Sequence, residues 1–363
     1  MNFALIYSKN TKRLWISLVI AMLCLLLSGC QTITISTNTD NGTDSNTDTT
    51  NTNVDTDTGA STSAQNVELY IEPQAGESVI TNAITGAKKS VWVEMYLLTD
   101  KKVLTALEDT ASRHIDVRVM LEDHPYGGGS VSPTETMDKL KASGVQTKTT
   151  NPTFALTHEK GMVIDGTTAY IMTSNFTLAA LGASKSTLNR EYGIIDTNTQ
   201  DVNNVKEIFT ADWNRTQAQV TSSNLVVSPL NSRNSFISLI KAAKSSLLIE
   251  AEEMNDPAVE QALVSQEKAG IKIEVILPKG NTNNDGIAVI ERGNNIQVKE
   301  DSHLYMHAKI IVVDQKKAFI GSENISTASL DQNRELGIVV SDTTVLNSLQ
   351  QTFQTDWTAS QAA

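Results

Sequence analysis

The second half of this chain repeats the residue order of its first half. Identical residues recur at a spacing of 156 positions early in each half, then of 149, and finally of 144. Pairs at these three spacings are Glu94 and Glu250, His158 and His307, and Glu191 and Glu335. A fixed order with two local deletions is what a tandem duplication produces. The repeat therefore predicts two equivalent folding units that meet about a pseudo-twofold axis.

Each half alternates between helical and strand-like spacing of its apolar residues. The predicted elements of the first half are a helix at 79–87, a strand at 90–98, a helix at 101–112 and a strand at 115–121. The same order returns in the second half, where Asp256 and Pro257 are expected to cap and begin a helix. Alternation of this kind predicts an α/β layer architecture.

A pattern of polar residues lies inside each copy of the repeat. It consists of a histidine, a lysine two positions later, an aspartate after a β-branched run, and finally a hydroxyl and an amide. The first copy has His158, Lys160, Asp165, Thr173 and Asn175, and the second has His307, Lys309, Asp314, Ser322 and Asn324. The apolar run at 310–313 predicts a buried strand, along which the histidine and the lysine would point the same way.

Two such sets suit displacement at a phosphodiester. Lysine is a compact cation that suits a phosphate oxygen, and fixed hydrogen-bond donors stabilise the charge that develops on the phosphoryl group. Imidazole titrates near neutrality, so one histidine can attack while the other, protonated, donates to the leaving oxygen. This chemistry requires His158 and His307 to face each other. It requires no metal and no cofactor, and no cysteine follows Cys30 that could form a thiolate metal site.

The doubled pattern resembles the signature H-x-K-x4-D-x6-G-S-x-N, which is duplicated in the phospholipase D superfamily. The resemblance implies two tandem α/β/α sandwich halves with the active site at their interface. It also implies a covalent phosphohistidine, with His158 as the nucleophile and His307 as the general acid or base. The remaining residues would then be catalytic (Lys160, Lys309, Asp165 and Asp314) or would bind the substrate phosphate (Asn175, Asn324, Ser322 and Thr173).

Two features flank the motifs. Glu191 and Glu335 match positions that often orient a catalytic imidazole in this superfamily, but each could instead pair with the neighbouring Arg190 or Arg334. In addition, Met172 stands where the superfamily has glycine. A side chain there requires different backbone packing. Because the histidine, lysine, aspartate and asparagine are all present, the first copy is still expected to form a working site.

The N-terminal 65 residues predict export and not a folded unit. Residues 1–29 carry three basic residues, an apolar run and small residues before Cys30, as an export signal does. The tetrad Leu-Ser-Gly-Cys resembles the bacterial lipobox, which implies an acylated Cys30 and a lipoprotein anchored to a membrane facing the periplasm or the cell exterior; ordinary secretion is the alternative. Residues 30–65 are rich in Thr, Asn, Asp and Ser and predict a disordered tether. The two halves would then cover residues 66–220 and 221–363.

Charge helps to rank three possible functions. The formal charge is −12, and because residues 1–29 contain three cations and no acid, the rest of the chain carries −15. An acidic chain disfavours a general nucleic-acid binder. The favoured function is a phosphodiesterase that hydrolyses or exchanges phospholipid head groups. The alternatives are a nuclease acting on DNA, which would need a basic groove, and a non-catalytic phosphate-binding envelope protein, which would bind without turnover.

Overall fold

The computed structural model describes residues 63–126, 132–280, 284–292 and 295–363. The predicted export signal, Cys30 and nearly all of the predicted tether lie outside these residues. The first half contains β1 (Glu68–Glu72), α1 (Ser78–Gly86), β2 (Ser90–Met95), α2 (Lys101–Ser112), β3 (Asp116–Leu121), α3 (Pro133–Ala142), β4 (Gln146–Thr149), β5 (Lys160–Ile164), β6 (Thr168–Met172), β7 (Asn189–Asp196) and α4 (Thr199–Asn214).

The second half repeats this order with additional short elements. It contains β8 (Leu225–Ser228), α5 (Ser232–Lys241), β9 (Ser246–Ala251), β10 (Met254–Asn255), α6 (Pro257–Lys268), β11 (Lys272–Pro278), α7 (Ile287–Glu291), β12 (Gln297–Asp301), β13 (Tyr305–Met306), β14 (Lys309–Val313), β15 (Lys317–Gly321), β16 (Ile325–Ser326), α8 (Thr327–Asp331), β17 (Glu335–Val340), α9 (Thr343–Ala359) and β18 (Gln361–Ala362). The predicted boundary between residues 220 and 221 falls in the segment between α4 and β8 and stays a prediction.

Each half builds one mixed sheet with the same strand order. The first sheet runs β1-β7-β6-β5-β2-β3-β4, and the second runs β18-β12-β11-β9-β14-β15-β17-β8. In both, three neighbouring strands are parallel (β2, β3 and β4; β9, β11 and β12), and the strands that carry the motifs are antiparallel. The equivalent topologies confirm the predicted α/β fold of two sandwich halves.

The two sheets face each other across one shared core. The outer face of the first sheet packs against α1, α2 and α3, and the outer face of the second packs against α5 and α6. Between the sheets, apolar residues of β5, β6, β7, β14, β15 and β17 form a continuous cluster with α4 and α9. Burial of this apolar area fixes how the two halves meet. Among the described residues, no helix is both long enough and apolar enough to cross a bilayer.

Matching caps begin the second helix of each half. The carboxylate of Asp100 accepts hydrogen bonds from the backbone N–H of Lys102 and Val103, and Asp256 accepts from Ala258 and Val259. Each cap satisfies two N–H groups that the helix itself leaves without partners, and a cap of this kind is worth about 1 kcal/mol. The predicted start at Asp256 and Pro257 is confirmed, because Pro257 is the first residue of α6.

The two motif histidines lie just before strands and not within them. His158 precedes β5, and His307 lies between β13 and β14, so neither histidine shares one continuous strand with its lysine, although the run at 310–313 does form the buried strand β14, as predicted. The reason is that each histidine segment pairs with the other half. The N–H of His158 donates to the carbonyl of Arg334 at 2.9 Å, and β13 runs parallel to the start of β7. The polypeptide thus crosses between sheets at both histidines.

Candidate active site

One cleft brings the two histidines together. It has a volume of about 690 Å³ and lies between the halves. His158 and Asn175 reach it from the first half, and His307 and Asn324 reach it from the second. The shared pocket that the sequence required is therefore present. Its wall is completed by the aromatic side chains Tyr96, Tyr126 and Tyr305 and by the acidic residues Glu252 and Glu253.

Each imidazole is held by a carboxylate from the opposite half. Nδ1 of His158 lies 3.2 Å from both carboxylate oxygens of Glu335, and Nδ1 of His307 lies 2.8 Å from Oε1 of Glu191. An Nδ1–H that donates to a carboxylate fixes the ring orientation and leaves Nε2 for chemistry. Both rings are therefore oriented for reaction through Nε2, each by a carboxylate that the other half supplies.

The protonation of the first pair suits an attacking histidine. Burial lowers the pKa of His158, and the nearby ammonium of Lys160 lowers it further. Burial also acts to raise the pKa of Glu335, but its interaction with His158 outweighs this and the pKa is lowered. The carboxylate is thus ionised beside a neutral ring. A neutral imidazole that donates through Nδ1 presents a lone pair on Nε2, which is the form a nucleophile needs.

Hydroxyl groups hold these two carboxylates in place. Thr173 donates from Oγ1 to Glu191 at 2.6 Å, and Ser322 hydrogen-bonds to Glu335. Both hydroxyl residues are fully buried. The prediction that Thr173 and Ser322 bind the substrate phosphate was therefore wrong, since their hydroxyl groups are turned away from the cleft toward the glutamates. They are positioning residues that act through Glu191 and Glu335.

The two motif lysines are buried beneath the cleft. Nζ of each donates to the carbonyl of its own motif histidine at 2.7 Å, in Lys160 to His158 and in Lys309 to His307. Lys309 also donates to Glu252 at 2.8 Å. Burial lowers the pKa of Lys160 to about 7. A neutral amine attracts an anion far less than an ammonium does, so a phosphate entering the cleft would favour the protonated form of Lys160.

Comparison with known proteins decides the family. The family model described as "Cardiolipin synthase, PLD-like domain" matches residues 80–213 and 236–357, which together are most of the chain. The chain belongs to the phospholipase D superfamily. With both histidine motifs in one cleft, it is an enzyme of the phospholipase D type. The first matched range contains most strands of the first sheet, and the second contains most strands of the second sheet.

Several known proteins resemble it along most of its length. The cardiolipin synthase of Clostridium perfringens strain SM101 is 23% identical over 348 residues, covering 81% of this chain and 71% of that protein. The solved phosphatidylserine synthase of Haemophilus influenzae Rd KW20 is 15% identical with a TM-score of 0.63, covering 82% and 87%. The solved polyphosphate kinase of Porphyromonas gingivalis is 16% identical with a TM-score of 0.64, and the match covers 79% of this chain and 46% of the kinase. These two structures support the fold alone.

The two aspartates of the superfamily motif lie outside the cleft. Asp165 directly follows β5, a five-residue strand roughly 16 Å long that separates it from the histidine end. Its carboxylate accepts backbone hydrogen bonds from Lys88, Lys89 and Ser90, and Asp314 does the same for the loop before β9. Their predicted catalytic role is therefore wrong by position. Both anchor the turn that enters the central strand of their sheet.

Arginines of the repeated Asn-Arg-Glu triplet pair across the halves. Nε of Arg190 lies 2.6 Å from Asp356, and Nε of Arg334 lies 2.7 Å from Asp212. The alternative that Glu191 would pair with a neighbouring arginine was therefore wrong. All four members of these two ion pairs are buried, and each arginine also donates to a backbone carbonyl. Breaking such a pair leaves a buried charge and is strongly destabilising.

The methionine that departs from the superfamily motif is accommodated by its surroundings. Met172 is fully buried at the end of β6, where it joins the outer core of the first half. At the equivalent Gly321, an added Cβ would lie 2.4 Å from the Cα of Gly337, so the second half needs a glycine there. The packing does differ between the copies, as expected. Thr173, next in sequence, nevertheless reaches Glu191.

Among the cleft residues that the sequence patterns missed are Glu252, Tyr96 and Tyr305. Glu252 lies 3.4 Å from Nε2 of His307, and Tyr96 packs edge-on against His158 with ring centroids 4.7 Å apart. A signal for the first two was present, since they are 156 positions apart and thus occupy equivalent places in the repeat. The two residues differ in type, so a search for identical residues in the repeat passes over them, although they mark where the halves differ.

Replacing the buried Lys160 should stabilise the fold while destroying activity. We expect Lys160→Met to raise the free energy of unfolding at pH 6 by about 1–4 kcal/mol, because a buried charge is removed. The wild type should itself gain stability between pH 7 and 10.5, where the unfolded chain holds a proton that folded Lys160 has lost. The advantage of Lys160→Met should therefore shrink over this range. Urea denaturation at pH 6 and pH 9 measures both effects.

Lys101 supplies the control for this experiment. It is an exposed lysine on α2, and Lys101→Met should change the free energy of unfolding by no more than about 0.5 kcal/mol at either pH. A Lys160→Met protein that is less stable than the wild type at pH 6 would contradict the prediction. It would mean that the hydrogen bond from Lys160 to the carbonyl of His158 outweighs the burial of its charge.

Proposed function

We propose that this chain is a phosphatidyltransferase, which cleaves the head-group phosphodiester of a phospholipid and passes the phosphatidyl group to an alcohol or to water. The observation that carries the proposal is the cleft in which His158 and His307 meet, each oriented by a carboxylate of the other half. The relatives named cardiolipin synthase support a phospholipid substrate, and they favour transfer to an alcohol over hydrolysis.

In the first step, Nε2 of His158 attacks phosphorus and the bond to the head-group oxygen breaks. His307, protonated on Nε2, gives that proton to the departing oxygen, so that an alcohol leaves and not an alkoxide. The product is a phosphatidyl group bonded to His158. The neutral state of His158 supports its assignment as the nucleophile. Lys160 and the amide of Asn175 stabilise the charge on the phosphoryl oxygens.

In the second step, the acceptor alcohol or water enters where the head group left. His307, now neutral, takes the acceptor proton while the acceptor oxygen attacks phosphorus and the bond to His158 breaks. The site returns to its starting protonation. An alcohol gives an exchanged phospholipid, whereas water gives phosphatidate. The proposed reaction thus needs no cofactor and uses the same two histidines in both steps.

Turnover of mixed phospholipid vesicles tests this function. The purified full chain is incubated with vesicles of several head groups, with and without a primary alcohol, and in parallel with plasmid DNA. Mass spectrometry should detect a new phosphatidyl alcohol, with less phosphatidate than exchanged lipid. Loss of this product in His158→Ala shows that it comes from the site. Cleaved DNA with unchanged lipid would instead establish the nuclease alternative, and no turnover of either would establish a binding protein.

We also propose that the chain is an exported lipoprotein with an acylated Cys30. The support is the order of basic residues, apolar run and Leu-Ser-Gly-Cys in residues 1–30. An anchor on Cys30 would keep the enzyme beside a phospholipid substrate. Stable anchoring needs two acyl chains, because a single acyl chain binds a membrane only marginally. Mass spectrometry of the N-terminal peptide tests this, and Cys30→Ser should move the protein from the membrane to the soluble fraction.

A further inference from the structure

Glu252 breaks the symmetry of the cleft. The repeat places it 156 positions after Tyr96, so the two residues occupy the same place beside the motif histidines of their halves. A carboxylate therefore stands in the second half where the first half has a phenol. The contacts of the two side chains differ accordingly, and they bear on which half holds the phosphoryl group.

A single oxygen of Glu252 lies against three polar groups of the second motif. Its Oε2 lies 2.8 Å from Nζ of Lys309, 3.4 Å from Nε2 of His307 and 3.4 Å from Nδ2 of Asn324. These are the groups that would bind a phosphoryl oxygen. An ammonium, an imidazole and an amide N–H arranged around one anionic oxygen make a preorganised anion site.

The carboxylate is held there firmly. Its other oxygen, Oε1, accepts a hydrogen bond of 3.0 Å from the hydroxyl of Tyr305. Burial acts to raise the pKa of Glu252, but the charges of His307 and Lys309 outweigh it and hold the pKa well below its usual range. Glu252 is therefore ionised at neutral pH, and its Oε2 occupies the anion site of the second half.

The first half leaves the equivalent place without a carboxylate. The ring of Tyr96 packs edge-on against His158, and Nζ of Lys160 lies 5.3 Å from the centre of the same ring. The hydroxyl of Tyr96 points away and hydrogen-bonds to the backbone of Tyr126. Oδ1 of Asn175 and Oδ1 of Asn324 are both buried without a hydrogen-bond partner in the described part of the chain, so the two halves differ in the carboxylate and not in the amide oxygens.

We propose that Glu252 takes the phosphoryl-oxygen position of the second half, so that the substrate phosphate binds to the first-half set of His158, Lys160 and Asn175. Glu252 is then a positioning residue that makes the two halves unequal. The first half holds phosphorus and attacks it, and the second half handles the proton of the leaving or entering oxygen. The inference rests on the proposed function only in placing a phosphoryl group in this cleft.

A consequence concerns the charge of the ligand. A phosphodiester carries one negative charge, whereas a phosphomonoester carries between about 1.5 and 2 at neutral pH. A fixed carboxylate in the cleft repels the more highly charged group more strongly. Glu252 thus favours diesters over monoesters, and it disfavours retention of phosphatidate when water is the acceptor.

Binding of inorganic tungstate to the full chain, measured by calorimetry without turnover, tests the proposal. In the wild-type background, Asn175→Ala should weaken binding by about tenfold or more, because a hydrogen bond to a charged group is lost. Asn324→Ala should weaken it by less than about threefold, since Asn324 already faces Glu252. Equal losses in the two asparagine variants would overturn the proposal.

The two asparagine variants are measured again in a Glu252→Tyr background, which gives the second half the residue of the first. Tungstate should bind this variant about tenfold more tightly or better, and Asn324→Ala should now weaken binding as much as Asn175→Ala does. Glu252→Gln, which keeps the shape of the side chain, should also tighten binding if the tyrosine disturbs folding. Unchanged affinity in both Glu252 variants, or no tungstate binding by any of them, would overturn the proposal.

Asp109 provides the matched control. It lies exposed on α2, and Asp109→Asn changes the net charge by the same amount as Glu252→Gln without touching the cleft. Its tungstate affinity should equal that of the wild type, and an equal gain in Asp109→Asn would overturn the proposal by making the effect one of overall charge. Because lipid turnover is not measured, an inactive protein that shows the asparagine asymmetry would refute the proposed function and leave this inference standing.

Discussion

His158→Ala should abolish turnover of every phosphodiester, whereas His307→Ala should spare the first step for substrates whose leaving group needs no proton. With natural phospholipids we expect both variants to lose about 10⁴-fold or more in kcat/KM. With a p-nitrophenyl phosphodiester, His307→Ala should still release a burst of one nitrophenolate per enzyme and then stop. The reason is that His158 can form its phosphoryl bond, but no base activates the acceptor.

Stopped-flow absorbance measures the burst, and acid-labile phosphate on the protein measures the trapped intermediate. His158→Ala should show neither. The opposite outcome, a burst in His158→Ala and none in His307→Ala, would reverse the roles of the two histidines. It would also remove the support that the lowered pKa of His158 gives to its role as nucleophile. Melting curves establish that both variants are folded.

Glutamine at Glu335 should impair the histidine of the opposite half. We expect Glu335→Gln to lower kcat by about 10²–10⁴-fold, because the amide no longer holds His158 in the tautomer that leaves Nε2 free. Glu191→Gln should cost a similar amount through His307. The p-nitrophenyl substrate separates them, since only Glu191→Gln should retain the first-step burst. Each variant should thus copy the histidine variant of the other half.

The result that contradicts this pairing is a burst in Glu335→Gln and none in Glu191→Gln. Each glutamate would then serve its own half. Glu300→Gln is a suitable control, because Glu300 lies on β12 and is not among the residues that line the cleft. It should keep wild-type kinetics with both substrates.

The fold could be predicted from the sequence because each half repeats the same order of residues. Repeated spacings identified the halves, and repeated motifs required His158 and His307 to meet, which they do. Local signals also worked where they depend on near neighbours, as in the helix cap of Asp256. The prediction was accurate wherever the physical cause lies within a few residues or within a repeated pattern.

The errors concern which way a motif side chain faces and which group it contacts. Thr173 and Ser322 look like phosphate ligands in a motif, but their hydroxyl groups are used up by the glutamates of β7 and β17. Asp165 looks catalytic because it recurs with the histidine, yet a strand separates the two. A repeated spacing shows that a residue is needed in both halves. It does not show on which side of a strand, or in which half, its partner lies.

Cross-pairing of the histidines and glutamates has a consequence for the origin of the chain. Since His158 is completed by Glu335 and His307 by Glu191, a single ancestral unit could have built the same site only by dimerising, with each subunit lending its glutamate to the other. Fusion of two such subunits would then have allowed one copy to acquire a residue such as Glu252 that the other lacks. Separate fragments of the two halves should accordingly be inert alone and regain activity when mixed.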